Sequence, residues 1–302
     1  MEQSLKNRLK YGSMMMAFMV AGLWFDHAAQ RWTRSPELPY GVGGIGLLAL
    51  LLFVAPIAVT ELAALFAAER VRPYRTVSGA GCWLLIIHAF LTQFPWFERI
   101  AASSLAFIIT FVMISAALRR AWGKKTEEAI LLMAGTVLAT LYLGGLAWFL
   151  MALRVKRAAN VEGTTLVVLM ILLVVKSTDI GAYFGGRALG RHKLIPWLSP
   201  GKTWEGLACG MFVSGLVGTA FAVGINNFLW WQGSIFGVVI GGIGQAGDLL
   251  ESLMKRDAEV KDSSRLIPGF GGILDVIDSP LFASPFAYLL FSLFHYVHKL
   301  PW

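Results

Sequence analysis

The chain has 302 residues, 57% of them hydrophobic and only 15% charged, with a mean hydropathy of +0.65. That balance excludes an ordinary soluble globular domain and points to an integral membrane protein. The formal charge of +8 is no argument for nucleic acid, because the lysines and arginines gather in short clusters between apolar runs, where they orient membrane helices.

Apolar runs of roughly 17 to 25 residues recur along the chain, each long enough to cross hydrocarbon as a helix. Strand alternation is absent, which argues against a barrel. The fold expected is therefore all-α and polytopic, with about nine transmembrane helices at 11–25, 42–67, 78–95, 101–118, 129–151, 164–184, 205–225, 228–248 and 280–298. The basic, then apolar, N-terminal stretch is read as a retained first span, since no small-x-small cleavage site precedes His27. Residues 1–160 are expected to form a helical scaffold, and residues 161–302 to carry the chemistry. No soluble domain, repeat or low-complexity linker stands out.

An odd number of spans puts the two ends of the chain on opposite sides. With the N-terminus in the cytoplasm, inside segments collect 18 of the 26 basic residues, among them Lys6, Arg8, Arg70, Arg119 and Lys125, and the outside segments hold 7. The run Arg154, Lys156, Arg157 falls outside and opposes this orientation; Lys299 falls there too. In this arrangement the polar loops at 185–204 and 249–279 share the cytoplasmic face. Cys82 and Cys209 lie in separate apolar segments and read as small buried residues. Histidines 27, 88, 192, 295 and 298 show no ligand spacing, and His295 with His298 reads as an interfacial pair. Glu61, near a span end, reads first as an interfacial carboxylate, with a catalytic role as the lesser alternative.

Two motif matches carry no nucleotide fold. Gly242, Gly244 and Gly247 fit G-x-G-x-x-G but lie inside a predicted span, where glycines serve helix packing. The run Ser199-Pro-Gly-Lys202-Thr203 lacks the first glycine of a phosphate loop.

The polar residues of the second half are more informative. Lys176 and Asp179 stand at i, i+3, close enough to pair as a structural ion pair or to serve a site. Arg187, Arg191, Lys193, Ser199, Lys202, Thr203 and Glu205 follow, and a helix opening near Thr203 would offer cations and N–H groups to phosphate. Asp248, Glu251, Ser252 and Lys255 fall on one helical face. The turn Pro268-Gly269-Phe270-Gly271-Gly272 permits close backbone approach, and Asp275 and Asp278 project together as the next helix begins. Hard oxygen ligands beside phosphate suit magnesium rather than zinc.

This pattern resembles the CTP:phosphatidate cytidylyltransferases, also called CDP-diacylglycerol synthases. The family signature S-x-x-K-R-x4-K-D is matched by Ser252-Leu-Met-Lys255-Arg256, four residues and Lys261-Asp262. A glycine turn and D-x-x-D follow, as Pro268 to Gly272 and Asp275 to Asp278. The segments DIGAYFGGRALGRHKL and SPGKTWEG are similar too, so the strong likeness covers about residues 176–278. Phe270 stands where the family has His, and Val276 where it has Arg, which leaves open a different substrate or an inactive relative.

The resemblance implies CMP transfer from CTP to phosphatidic acid, giving CDP-diacylglycerol and pyrophosphate for phospholipid synthesis in a bacterial inner membrane, with the site facing the cytoplasm. It implies Mg2+, one ion or two, held by Asp248, Asp275, Asp278 and Asp179. Asp248, Asp275, Lys255 and Lys202 would be catalytic. Ser199, Thr203, Ser252, Arg256, Lys261, Gly269, Gly271 and Gly272 would bind substrate. The partners implied are CTP, a phospholipid substrate and membrane lipids, no nucleic acid, with a homodimer left open. Alternatives are a CTP-dependent transferase using an isoprenoid-ether phosphatidate or polyprenol, and a membrane ion transporter lined by Lys176, Asp179 and Asp248.

Overall fold

The computed structural model describes residues 2–35, 40–124, 126–156, 162–225 and 229–298. Lys125, Arg157 and Lys299 lie outside the described residues, as do the side chains of Lys6, Arg8, His295 and His298. The chain is helical nearly throughout. In order it forms α1 (Glu2–Trp32), α2 (Ile45–Ala68), α3 (Arg75–Leu91), the single turn α4 (Pro95–Glu98), α5 (Ala101–Trp122) and α6 (Ala129–Ala139). A π-helical stretch, Thr140–Gly145, leads into α7 (Leu146–Val155), and α8 (Glu162–Leu189) follows. A hairpin of β1 (Lys193–Ile195) and β2 (Ser199–Thr203) precedes α9 (Trp204–Ile225), α10 (Trp230–Asp257) and α11 (Leu274–His298).

Among the described residues, seven helical segments are long and apolar enough to cross a membrane, and α3, at 17 residues, is a shorter apolar helix. The seven coincide with seven of the expected spans, and the remaining two, 11–25 and 78–95, fall in α1 and α3. The fold is thus an all-α polytopic membrane protein. One local difference from the sequence expectation stands out. The loop expected at 185–204 is shortened by one further helical turn of α8 and folded into an antiparallel hairpin, with Lys193 opposite Thr203 and Ile195 opposite Ser199. Strands this short leave no readable alternation. The last helix starts at Leu274, ahead of the span expected from 280, in agreement with the sequence placing Asp275 and Asp278 at a helix start.

The chain divides into two compact units, Met1–Lys156 with Asp257–Val276, and Arg157–Arg256 with Ile277–Trp302. In the first, a buried ion pair ties chain ends that are 128 residues apart: Arg154 donates from Nε to Asp26 Oδ2 at 2.5 Å and from an Nη to Gln30 Oε1 at 2.7 Å. Asp26 and Arg154 are 0% and 1% exposed, so each charge is supportable only through the other. The backbone N–H of Gly46 donates to the second Asp26 oxygen at 3.0 Å, adding α2 to the knot. Arg154 is therefore consumed internally and does not act as a loop cation.

Nearby, His88 accepts at Nδ1 from the Trp148 indole N–H at 3.0 Å, so its Nε2 carries the proton and donates to the Ala101 carbonyl at 2.9 Å. This neutral histidine is fully committed to joining α3, α5 and α7.

In the second unit, small residues let the helices touch. Gly181 and Gly185 on α8 meet Gly210, Val213 and Cys209 on α9, and a Cβ on Gly206 would fall 2.8 Å from the Ala182 carbonyl oxygen. Gly218 of α9 packs on Gly233 and Gly237 of α10. The glycines that mimic a nucleotide motif do the same work in α10: Gly244 faces Val175, and a Cβ on Gly247 would lie 2.7 Å from Phe282 Cβ.

Removing one partner of the Asp26–Arg154 pair strands a buried charge. Asp26→Ala is expected to cost about 3–5 kcal/mol, whereas a paired Asp26→Leu, Arg154→Met variant should recover most of that loss. Thermal unfolding of the detergent-solubilised protein checks the ordering of the three forms.

Candidate active site

The second unit concentrates charge where its helices are otherwise apolar. Asp248 and Glu251 lie one turn apart on α10, and Asp278 lies on α11; one carboxylate oxygen from each falls within 4.8 Å of the others. Glu251 and Asp278 are 1% and 4% exposed. Three carboxylates this close repel strongly in a low-dielectric setting unless cations compensate them. Lysines do so in part: Lys202 at the end of β2 contacts Asp248 at 2.6 Å, and Lys255, one turn along α10, contacts Glu251 at 2.9 Å.

A further pair borders the group. Asp179 on α8 lies 3.6 Å from Lys176, the expected i, i+3 pair, and also accepts from the Gln245 side-chain amide at 2.6 Å. Gln245 stands three residues before Asp248 on the same helix, so α8 and α10 present their polar groups together. Among the described residues, Asp179, Asp248, Glu251 and Asp278 are thus gathered beside Lys176, Lys202 and Lys255.

The hairpin positions Lys202. Thr203 caps α9: its hydroxyl accepts from the Gly206 N–H at 3.1 Å, satisfying one of the free amides of the first turn. Glu205 in that turn receives the backbone N–H groups of Arg191 and His192 and contacts His192 Nδ1 at 2.5 Å. Lys193 donates to the Pro200 carbonyl at 2.7 Å, closing the hairpin. These bonds hold the strand end that delivers Lys202 to Asp248. Ser199 sits part-buried in β2, Ser252 follows Glu251 on α10, and Arg256 is exposed one residue past Lys255.

Compared with protein families, residues 40–294 match the model of the cytidylyltransferase family. The chain belongs to this family. Among its relatives, the phosphatidate cytidylyltransferase of Staphylococcus aureus (strain COL) is 34% identical over 253 residues, 82% of this chain and 90% of that protein. The phosphatidate cytidylyltransferase of Haemophilus influenzae is 44% identical over 133 residues, 42% of this chain and 45% of that protein. The uncharacterized protein YnbB of Escherichia coli (strain K12) is 38% identical over 151 residues, 50% of this chain and 49% of that protein. In the last two matches the chain spans about half the relative's length.

The first unit of this cytidylyltransferase-family chain holds the remaining residues singled out from sequence. Lys261 is exposed, as is Gly269. The turn is built on Ile267, whose carbonyl receives the N–H of Phe270 and of Gly271 at 3.0 Å each. Gly269 and Gly271 take φ of +90° and +100°, conformations that a side chain resists, and +90° is what a type II turn asks of the residue after Pro268. Asp275 accepts on Oδ2 from Ser263 N–H at 3.0 Å, Ser263 O–H at 2.7 Å and Gly272 N–H at 2.7 Å. The amides of Gly271 and Gly272 are thus used by the chain itself. Phe270, in the place where the family carries His, lays its ring edge 3.0 Å from where a Cβ on Gly12 of α1 would stand.

Two residues of consequence were under-read in the sequence. Glu251 was visible as a member of a helical face but not as a member of the carboxylate group, because Asp278 arrives from another helix. Glu61 reads from the sequence as an interfacial carboxylate near a span end, but the structure buries it. It lies 6% exposed and receives Ser264 O–H, Ile273 N–H and Leu274 N–H.

The helix contacts that seat the site are tight. A Cβ on Gly241 would strike the hydroxyls of Ser214 and Thr178, both 0% exposed. Gly241→Val is expected to destabilise by about 1–3 kcal/mol, read as a lower unfolding temperature against Gly242→Ala, whose added carbon meets only the flexible Met211 side chain.

Proposed function

We propose that the protein transfers the cytidylyl group of CTP to phosphatidate, releasing pyrophosphate and forming CDP-diacylglycerol in the cytoplasmic leaflet of a bacterial inner membrane. The observation that carries this reading is the convergence of Asp248, Glu251 and Asp278 with Lys202 and Lys255 inside a membrane-spanning helical unit. Membership of the cytidylyltransferase family, and the names borne by relatives that match most of the chain, support the same reading.

Three hard carboxylate oxygens within 4.8 Å of one another fit a small divalent cation, and Mg2+ is the natural choice beside phosphate. Asp248, Glu251 and Asp278 would hold it, with Asp179 at the border of the group. When bound, Mg2+ supplies Lewis-acid polarisation of the CTP phosphates. Asp275, given a metal-binding role by sequence resemblance, keeps that role in this proposal.

The chain's own residues meet the rest of the requirement. Both reactants are anionic, so Lys202 and Lys255 offset their repulsion and stabilise charge growing on the leaving pyrophosphate. Arg256 and Lys261 add cationic donors, while Ser199, Thr203 and Ser252 offer hydroxyls. A phosphatidate oxygen attacks the α-phosphorus of CTP as the bond to the β-phosphate breaks. That oxygen is already ionised near neutral pH, so no strong base is needed. The helices keep the diacyl tails in hydrocarbon, with the headgroup at the level of Lys202.

The test is a radiolabelled CTP and Mg2+ assay with phosphatidate, an ether-linked phosphatidate and a polyprenol as separate acceptors. Turnover is expected with phosphatidate. Asp248→Asn should lower kcat at least about 100-fold with helical content unchanged, and Glu251→Gln should weaken Mn2+ binding, read by electron paramagnetic resonance, by about 10- to 100-fold. Turnover confined to another acceptor would reassign the lipid, and full activity in Asp248→Asn would remove the site.

A further inference from the structure

Glu61 sits near the C-terminal end of α2, inside a helix apolar enough to span the membrane, and is almost wholly buried. A carboxylate there is costly unless donors satisfy it. It finds them in one segment more than 200 residues away. Ser264 O–H donates to Oε1 at 2.7 Å, Ile273 N–H to Oε1 at 3.1 Å and Leu274 N–H to Oε2 at 2.7 Å. Ser263 Oγ also approaches Oε2, at 3.4 Å, but its single proton belongs to Asp275, 0.7 Å nearer at 2.7 Å.

Two carboxylates therefore share one cradle. Glu61 takes the amides that open α11, where the helix dipole favours an anion, and Asp275 takes Gly272 N–H together with both donors of Ser263. Gly272 is required between them, since a Cβ there would lie 2.6 Å from Glu61 Oε2. The consequence reverses the simplest reading of a glycine turn before a helix. The Gly272, Ile273 and Leu274 amides, which could cradle a substrate phosphate, are spent on the protein's own side chains.

We propose that Glu61 is a positioning residue, the built-in anion of the α11 N-terminus, which holds Ser263–Asp275 so that the Asp275 carboxylate is presented in one orientation. This rests on the reading above, in which Asp275 serves the metal. Glu61 itself touches neither substrate nor metal; it acts through Ser264, the 272–274 backbone and thence Asp275.

Wild type, Glu61→Ala and Ser264→Ala, each in lipid nanodiscs, are compared by hydrogen–deuterium exchange and by CTP turnover. Glu61→Ala should raise exchange at 263–274 at least about tenfold, leave α8–α10 unchanged, and lower kcat about 10- to 100-fold with little change in the KM for CTP. Formate, which fits the space left by the carboxylate, should restore both protection and turnover, whereas chloride at equal ionic strength should not. Ser264→Ala keeps the charge and should give a smaller change confined to the same segment. Wild-type protection in Glu61→Ala, tighter CTP binding in that variant, or loss that spreads through all helices in both variants and ignores formate, would each overturn the proposal. A wild type without CTP turnover would sink the functional reading alone, because the exchange arm still tests the clamp.

Discussion

A carboxylate buried among apolar helices has to bring its compensation with it. Almost every polar feature of this protein follows from that constraint. Asp26 is matched by Arg154, Asp248 by Lys202, Glu251 by Lys255, and Asp179 by Lys176 and Gln245. Glu61 and Asp275 are compensated differently, by hydroxyls and by the open amides of a helix N-terminus. The distinction separates two kinds of site. Ion pairs set a cation beside each carboxylate, whereas amide-bound carboxylates are tied to the backbone.

The glycines answer a second constraint. Without a hydrophobic drive between helices in lipid, close approach has to supply the attraction, and Gly181, Gly185, Gly206 and Gly210 allow backbone to meet side chain or backbone directly. In α10 the same device spaces Gly233, Gly237, Gly241 and Gly244 along the faces that meet α8 and α9. Rigid seating of α10 matters because Asp248 and Glu251 ride on it, and a carboxylate group with a 4.8 Å span has little tolerance for helix sliding.

Much of this was legible in the chain alone where the information is local. Hydropathy located the spans, and helical spacing paired Lys176 with Asp179 and aligned Asp248 with Glu251 and Lys255. The family likeness rested on contiguous motifs that the match over residues 40–294 bears out. What stayed hidden depends on residues far apart in sequence. Glu61 meets its donors across more than 200 residues, and no periodicity announces such a meeting. The hairpin at 193–203 is too short for alternation to show. The pairing of Arg154 stayed hidden for the same reason, since its partner Asp26 lies at the other end of the first unit.

That last pair also bears on how the protein is made. Asp26 is synthesised 128 residues before Arg154. At about 5–20 residues per second, α1 waits on the order of 6 to 25 seconds for its counter-charge. During that interval the Asp26 carboxylate lacks the partner that makes its burial supportable, so the knot that ties α1 to α7 closes only once α7 has been made.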